Sequence, residues 1–175
     1  MEIELRHIVK HYGPVRACDD VSMTVAAGSI HGLLGENGAG KSTLMKLLTG
    51  YTPPQAGEIL LDGKQVDLAR PALAAAHGIG MLYQEPMDFP ALSVLDNFMV
   101  GQTRHLRARR RHYTKRLADL CAMLGFAMDP HSPAGLLTVG ERQQLELMRL
   151  LALGIEVLIL DEPTTGISDT QKQVL

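Results

Sequence analysis

The stretch Gly35-Glu36-Asn37-Gly38-Ala39-Gly40-Lys41-Ser42-Thr43 decides the fold that the rest of this sequence must adopt. It matches the phosphate-binding P-loop pattern, in which two glycines five positions apart are followed by Lys and then by Ser or Thr. A β-branched and apolar run, Ser29 to Leu34, precedes the loop and predicts a strand, and an apolar helical pattern, Leu44 to Thr49, follows it. This order of strand, loop and helix is the context that a P-loop requires.

The residue types in this loop suit the binding of a triphosphate. Glycine is needed where phosphate oxygens approach the backbone closely or where φ is positive. Successive amide N–H groups at a helix N-terminus then surround the β-phosphate, and the helix dipole favours its negative charge. Lys41 is expected to reach the β- and γ-phosphates, and the Ser42 hydroxyl to hold Mg²⁺. We therefore predict that the stretch binds a nucleoside triphosphate.

The composition is that of a soluble domain. The length of 175 residues allows one domain with a sizeable core, and the net charge of −2 gives no reason to expect a nucleic acid partner. Cys18 and Cys121 are far apart without metal-ligand spacing, which favours a reduced cytosolic setting. No secretory signal is visible and no apolar run approaches about 18 residues, so any link to a membrane is expected to run through a partner.

Patterns outside the loop predict strands that alternate with helices. Strands separated by helical crossovers indicate a parallel sheet with its ligand at the carboxyl ends of the strands. The predicted strands lie at 2–9, 21–25, 58–61, 79–83 and 155–160, with a hairpin turn at Asp62-Gly63. Four helices are predicted. The first begins at Pro71, and the second begins at Ser93 with a capping box. The third has a core face of Leu117, Leu120, Cys121 and Leu124, and the fourth runs from about Glu141 to Leu153.

A second motif, Leu158-Ile159-Leu160-Asp161-Glu162, is an apolar strand that ends in two carboxylates. One carboxylate can hold Mg²⁺, and the next can orient and deprotonate an attacking water. Buried strands often end in Asp, so the motif gains its weight from the P-loop on the same sheet. Glu directly after Asp favours hydrolysis, and the chain has no Asn-Lys-x-Asp stretch that would read guanine. We therefore predict an ATPase site.

A third stretch, Leu137-Thr138-Val139-Gly140-Glu141-Arg142-Gln143, stands just ahead of an amphipathic helix. Thr138 and Glu141 have the spacing of a capping box, which by itself predicts only the start of a helix. Alternatively, the Thr138 hydroxyl and the Gly140 amide face a phosphate at this helix N-terminus. That phosphate would belong to a second subunit, since Lys41 already serves the γ-phosphate of this one.

These motifs together make the chain similar to the ATP-binding subunit of an ABC transporter, from about Leu5 to the last residue. The resemblance implies an α/β P-loop NTPase with a mainly parallel sheet, an N-terminal antiparallel β subdomain and a helical signature subdomain. It treats residues 1–175 as one ATPase domain, with about 1–90 and 155–175 as core and β subdomain and about 91–154 as the helical subdomain. The stretches Ser29 to Asn37 and Thr138 to Glu141 are most similar to the sugar and nucleoside importer branch.

The resemblance also implies a role for each motif. Gly35 to Thr43 bind the nucleotide, and Tyr12 stands where the family places an aromatic ring that stacks on adenine. The implied magnesium site comprises Ser42, Gln84 and Asp161, and the implied catalytic residues are Glu162 and Gln84. The implied signature, which covers the ATP of a partner subunit, comprises Thr138, Val139, Gly140 and Glu141.

The family pattern further implies ATP and Mg²⁺ as cofactors and a dimer that closes on two ATP molecules. Hydrolysis would power the transport of a solute, a sugar or a nucleoside, and the loop after Gln84 (85–90) would pass motion to integral membrane permease subunits. A solute-binding protein is a further expected partner, and no nucleic acid is expected. The expected location is the cytoplasmic face of the cell membrane.

Several positions depart from the family pattern. Val139 and Glu141 replace a glycine and a glutamine of the signature, and Thr165-Gly166-Ile167-Ser168 lacks the usual D-loop aspartate. The family's switch histidine and last core strands are expected after Leu175. We therefore expect this sequence to be C-terminally truncated, and the 175-residue piece to be poorly stable or inactive alone.

Two other functions remain open at this point. The basic run from Arg104 to Arg116 holds seven of the 17 Lys and Arg residues and suggests a soluble ABC-F type ATPase acting on ribosomes. A solvated helix face explains such a run more simply. The missing D-loop aspartate suggests a nucleotide-binding module that does not hydrolyse, although Lys41 and Glu162 oppose it. A repair or chromosome ATPase is disfavoured, because no heptad run separates the two motifs.

Overall fold

A computed structural model of the chain describes residues 1–102 and 110–161. The chain divides into two compact units, Met1–Gly80 and Met81–Leu175. In chain order, the described elements are β1 (Ile3–Tyr12), β2 (Val15–Val25), α1 (Lys41–Leu48), β3 (Ala56–Leu61), β4 (Lys64–Gln65), α2 (Pro71–Ala76), β5 (Ile79–Leu82), α3 (Val94–Met99), α4 (Arg110–Leu124), a 3₁₀ turn (Ala134–Leu136), α5 (Val139–Ala152) and β6 (Val157–Leu160).

The first unit is built on a four-stranded antiparallel sheet in the order β2-β1-β3-β4. The central strand β1 places Ile3 opposite Val25 on one side and opposite Leu61 on the other. Its apolar residues Ile3, Leu5 and Ile8 are almost fully buried. The Asp62-Gly63 turn has positive φ at both residues, as a two-residue hairpin with the native strand twist requires. The strands predicted at 2–9, 21–25 and 58–61 and the hairpin are confirmed, and β1 and β2 are longer than predicted.

Helix α1 follows the P-loop as predicted and buries Leu44 and Leu47. It ends before Gly50, which has a φ of +75° and lies against the backbone of Leu68 and Arg70. A Cβ at position 50 would lie 2.5 Å from the Arg70 carbonyl oxygen, so only glycine ends the helix in this way. Helix α2 begins with proline at its first position, which confirms the predicted start at Pro71.

The predicted strand at Ser29 to Leu34 is wrong. These residues have no regular secondary structure, and the side chains of Ile30 and Leu34 are 104% and 92% exposed. An apolar run becomes a strand only when a neighbouring strand takes its backbone hydrogen bonds and a second layer covers its side chains. None of the strands in the described residues pairs with this run, so local pattern alone did not decide its conformation.

The second unit has a helical core formed by α3, α4 and α5. Phe98 of α3 is fully buried and makes an edge contact with Tyr113 of α4, their ring centroids 6.4 Å apart. The predicted core face of α4 is confirmed: Leu117 and Cys121 are buried in this cluster, while Leu120 and Leu124 pack against it. Tyr113, one turn earlier, extends this face and was not predicted.

Strands β5 and β6 form a two-stranded parallel sheet. All four residues of β5 are buried, and those of β6 are half-buried. The backbone N–H of Asp161 donates to the carbonyl of Leu82 at 3.3 Å, which places Asp161 directly after β6. Among the helices of the described ranges, none combines the length and apolar character needed to cross a bilayer.

Candidate nucleotide-binding site

The P-loop is an exposed turn that leads into α1. Gly38 and Gly40 both have a φ of +87°, a conformation that L side chains rarely adopt. Gly40 is the N-cap of α1 and has no side chain with which to cap the helix, and the first turn holds no acidic residue. The first amide N–H groups of a helix need acceptors and carry the positive end of the dipole. This N-terminus is therefore suited to an anion.

The two left-handed glycines have different surroundings. A Cβ on Gly40 would lie 2.1 Å from the carbonyl oxygen of Ala17 in β2, whereas a Cβ on Gly38 would have no atom within 4 Å. The first helical turn therefore lies directly against β2, and the middle of the loop is open. Glycine at position 40 is required by contact as well as by φ.

The side chain of Lys41 folds back onto the backbone of the P-loop. Its Nζ donates to the carbonyl oxygens of Gly35 at 2.6 Å and of Glu36 at 2.9 Å. Within residues 1–102 and 110–161 the ammonium has no carboxylate partner, so its charge is balanced only by peptide dipoles. The next residue, Ser42, is exposed in the first turn. An ammonium with no carboxylate partner in the described ranges fits a phosphate, and the exposed Ser42 hydroxyl fits Mg²⁺, which prefers oxygen ligands.

Tyr12 belongs to the same region of the first unit. It is the last residue of β1, pairs with Val15 across the hairpin and is 47% exposed. Further along the hairpin, Lys10 pairs with Cys18, next to the Ala17 carbonyl that touches Gly40. The hairpin that carries Tyr12 therefore contacts the start of α1 through Ala17, and the role of Tyr12 at the nucleotide stays a prediction.

In the second unit, Gln84 and Asp161 each follow a strand of the two-stranded sheet. The Gln84 side chain is exposed, while its backbone carbonyl accepts a hydrogen bond of 3.1 Å from Nε2 of Gln143. Asp161 is half-buried after β6. The predicted catalytic residue Glu162 and the stretch 165–168 lie outside the described residues.

The loop after Gln84 is held by one face of α5. The Asp88 side chain is 4% exposed and accepts two hydrogen bonds from the guanidinium of Arg142, one of them from Nε at 2.9 Å. A planar guanidinium fits a carboxylate through two parallel hydrogen bonds. The Asp88 carboxylate also raises the pKa of Arg142.

A second anchor of this loop is Glu146, one turn further along α5. Its carboxylate is 4% exposed, accepts the backbone N–H of Met87 at 3.2 Å and receives a 3.1 Å bond from Arg149. Arg149 also donates to the carbonyl of Met87 at 3.2 Å. Burial raises the pKa of Glu146 in spite of these partners.

Asn97 of α3 completes the hold on this loop. It is 1% exposed; its Oδ1 accepts from the backbone N–H of Phe89 at 2.8 Å, and its Nδ2 donates to the Phe89 carbonyl at 3.0 Å. The Asn97 amide thus satisfies both the backbone N–H and the backbone carbonyl of Phe89, as a neighbouring strand would. Residues 84–89 are therefore positioned by buried polar side chains of two helices.

The stretch Thr138 to Glu141 forms the start of α5. The Thr138 hydroxyl accepts from the backbone N–H of Glu141 at 3.3 Å and donates to the Glu141 carboxylate at 2.8 Å. The same carboxylate accepts the backbone N–H of Thr138, which completes a capping box, and Gly140 is buried. The predicted helix start is confirmed. The contact of Thr138, Val139, Gly140 and Glu141 with the ATP of a partner subunit stays a prediction.

Sequence reasoning missed the polar face of α5. Gln143 and Glu146 are buried, although the helix is otherwise apolar on the side that faces the core. Two polar residues three positions apart on the apolar face of a helix indicate buried polar contacts, because buried polar groups need partners. The partners lie 59 positions away in the sequence and could not be read from it.

A glycine-rich loop, a helix start without a side-chain cap and a lysine with no carboxylate partner among the described residues are typical of a nucleotide-binding domain of the P-loop class. The sequence profile of the family described as ABC transporter matches residues 18–165. The chain belongs to the ABC transporter family, as the resemblance of its motifs predicted.

Two curated relatives are sugar import proteins. The chain is 41% identical to the ribose import ATP-binding protein RbsA of Chromobacterium violaceum over 98% of its own length. It is 39% identical to the arabinose import ATP-binding protein AraG 1 of Burkholderia cenocepacia over 97% of its length. The chain spans 35% and 34% of the length of these two relatives.

Solved structures show the same fold. CbiO1 from Clostridium perfringens, part of the ABC transporter complex CbiONQ, matches with a TM-score of 0.81 at 27% identity, over 98% of this chain and 69% of that one. The ADP conformation of the ATP-binding cassette MJ1267 matches with a TM-score of 0.83 at 25% identity, over 99% of this chain and 74% of that one. The predicted fold class is confirmed.

Proposed function

We propose that this chain is an ATP-binding and ATP-hydrolysing part of an ABC importer. The observation that carries this proposal is the start of α1, where Lys41 and uncapped backbone amides stand beside exposed Ser42 with no acidic residue in the first turn. Anions bind such helix starts, and a P-loop lysine serves the β- and γ-phosphates.

The proposed chemistry is phosphoryl transfer to water. Lys41 leaves the carbonyl oxygens of Gly35 and Glu36 when the phosphates arrive, because a full negative charge attracts the ammonium more strongly than peptide dipoles do. Ser42, Gln84 and Asp161 would hold Mg²⁺, which when bound neutralises charge on the β- and γ-phosphates. Glu162 is proposed to orient and deprotonate the attacking water.

The role of the loop after Gln84 follows from its anchors. Met87 and Phe89 are about half exposed, while the backbone between them is fastened to α5 and α3. A rigid loop with exposed apolar side chains suits contact with another protein. We propose that the partners are membrane permease subunits and that 85–90 transmit motion to them.

The proposed whole assembly contains a second ATPase domain, permease subunits and a solute-binding protein, at the cytoplasmic face of the membrane. Two ATP molecules would lie between the ATPase domains, each covered by the signature of the opposite one. The names of the ribose and arabinose import relatives support a sugar as the solute. A ribosome-bound ATPase gains no support from these relatives, whose names describe sugar import.

Nucleotide binding and turnover test this proposal separately. Lys41→Ala should remove most of the affinity for MgATP, whereas Lys46→Ala, an exposed lysine of the same helix, should leave it unchanged. Glu162→Gln in the transporter assembled with its permease should keep ATP affinity and lose nearly all turnover. Equal ATP affinity in the Lys41→Ala variant and the unmodified chain would refute the site, and full turnover in Glu162→Gln would refute the role of that residue.

A further inference from the structure

Lys10 of β1 is a buried cation at the edge of the proposed site. It is 9% exposed, and its Nζ donates to the carbonyl oxygen of Pro53 at 2.8 Å. The same Nζ lies over the ring of Tyr12, 5.5 Å from the ring centroid. Burying an ammonium is costly unless it is paired. In the part of the chain that the structure describes, a carbonyl oxygen and an aromatic face take the place of a carboxylate.

This arrangement orients the ring of Tyr12. Residues 10 and 12 lie on the same strand, which has an irregularity between Lys10 and His11, and the ammonium of Lys10 lies over the ring of Tyr12. An ammonium over an aromatic face is attracted by the ring quadrupole, which favours one orientation of the ring. One face of Tyr12 therefore meets Lys10, and the side chain still exposes 47% of its surface.

The same contact fastens the end of β1 to the segment that follows α1. Besides the bond between Lys10 and Pro53, the backbone N–H of Gln55 donates to the Val9 carbonyl at 2.9 Å. The side chain of Gln55 in turn accepts the backbone N–H of His11. Three hydrogen bonds thus connect the strand that carries Tyr12 to residues just beyond the P-loop helix.

We propose that Lys10 is a positioning residue of the nucleotide site: its ammonium holds the Tyr12 ring so that the free face can stack on the base. The inference rests on the proposed nucleotide-binding function and adds a determinant of base affinity to it. Lys10 is not proposed to contact the phosphates. Its loss should therefore weaken the contribution of the base and leave the contribution of the triphosphate intact.

The test compares MgATP with magnesium tripolyphosphate, which has the phosphates but no base. Affinities are measured by calorimetry on the full chain and on the variants Lys10→Met, Lys10→Arg and Lys64→Met, the last an exposed lysine of β4 that serves as control. Lys10→Met should weaken MgATP binding about tenfold, which corresponds to about 1.4 kcal/mol and lies between the strengths of an exposed and a desolvated cation–π contact. Tripolyphosphate affinity should not change. Lys10→Arg should restore MgATP affinity, since a guanidinium also binds an aromatic face.

A second variant separates positioning from general loss of structure. In a Tyr12→Ala background, Lys10→Met should have no further effect on MgATP affinity, because there is no ring left to hold. Unchanged MgATP affinity in Lys10→Met would overturn the inference, and so would an equal loss of MgATP and tripolyphosphate. If the unmodified chain bound neither ligand, the proposed nucleotide-binding function itself would be refuted.

Discussion

Gly38 and Gly40 form a matched pair that tests how the P-loop is held. Both have a φ of +87°, but a Cβ at position 40 would lie 2.1 Å from the Ala17 carbonyl oxygen, while position 38 is open. Replacing each with alanine imposes the same left-handed backbone on an L residue, at a cost of about 1–2 kcal/mol. Only the change at position 40 adds a steric collision.

The distance from the added Cβ to the Ala17 carbonyl oxygen sets the size of the collision. A Cβ and a carbonyl oxygen are essentially never closer than 3.0 Å, so the start of α1 and β2 must move apart by about 1 Å. Ala17 lies within β2, whose pairing with β1 resists this shift. Overpacking of this kind costs about 1–3 kcal/mol. We therefore expect Gly38→Ala to lose about 1–2 kcal/mol and Gly40→Ala about 2–5 kcal/mol of unfolding free energy.

The assay is urea unfolding of both variants beside the unmodified chain, with thermal midpoints as a second measure. One kcal/mol corresponds to about 2–4 °C for a chain of this size, so Gly40→Ala should melt about 2–12 °C below Gly38→Ala. Equal midpoints for the two variants would show that the contact with Ala17 does not constrain the loop. A lower midpoint for Gly38→Ala than for Gly40→Ala would show that position 38, not position 40, is the more constrained.

Two more predictions concern α5. Burial raises the pKa of Glu146 above its ordinary 4.5, so the folded chain keeps this proton to higher pH than the unfolded chain, and the unfolding free energy falls as pH rises from 4.5 through the raised pKa. Glu146→Gln should remove this part of the pH dependence in urea titrations, and parallel stability profiles for the two proteins would contradict it. Thr138→Ala should cost about 1 kcal/mol through loss of the capping hydroxyl, whereas Thr138→Ser should cost little. A neutral Thr138→Ala in thermal unfolding would show that the cap contributes nothing.

Features decided within a few residues could be predicted from the sequence. The Asp62-Gly63 hairpin, the capped starts of α3 and α5 and the proline at the start of α2 all appear where their patterns placed them. Each depends on hydrogen bonds or dihedral angles that neighbouring residues supply themselves. The left-handed glycines of the P-loop belong to the same class, because the motif itself demands their φ.

The run Ser29 to Leu34 shows where local pattern was insufficient. Its residues have the composition of a buried parallel strand, yet Ile30 and Leu34 are exposed and the run is irregular. Strand formation depends on hydrogen-bonding partners from another part of the chain. The composition of the run does not show whether such a partner strand is present.

The sequence by itself determined the family, the P-loop and the capped helices, because motifs and caps are properties of adjacent residues. Only the tertiary structure decided that Lys10 lies over Tyr12 and bonds to Pro53, and that α5 holds the loop after Gln84. The hydrogen bonds among these contacts join residues 43 to 62 positions apart. A buried polar group must find a partner, but which partner it finds depends on how the whole chain is packed.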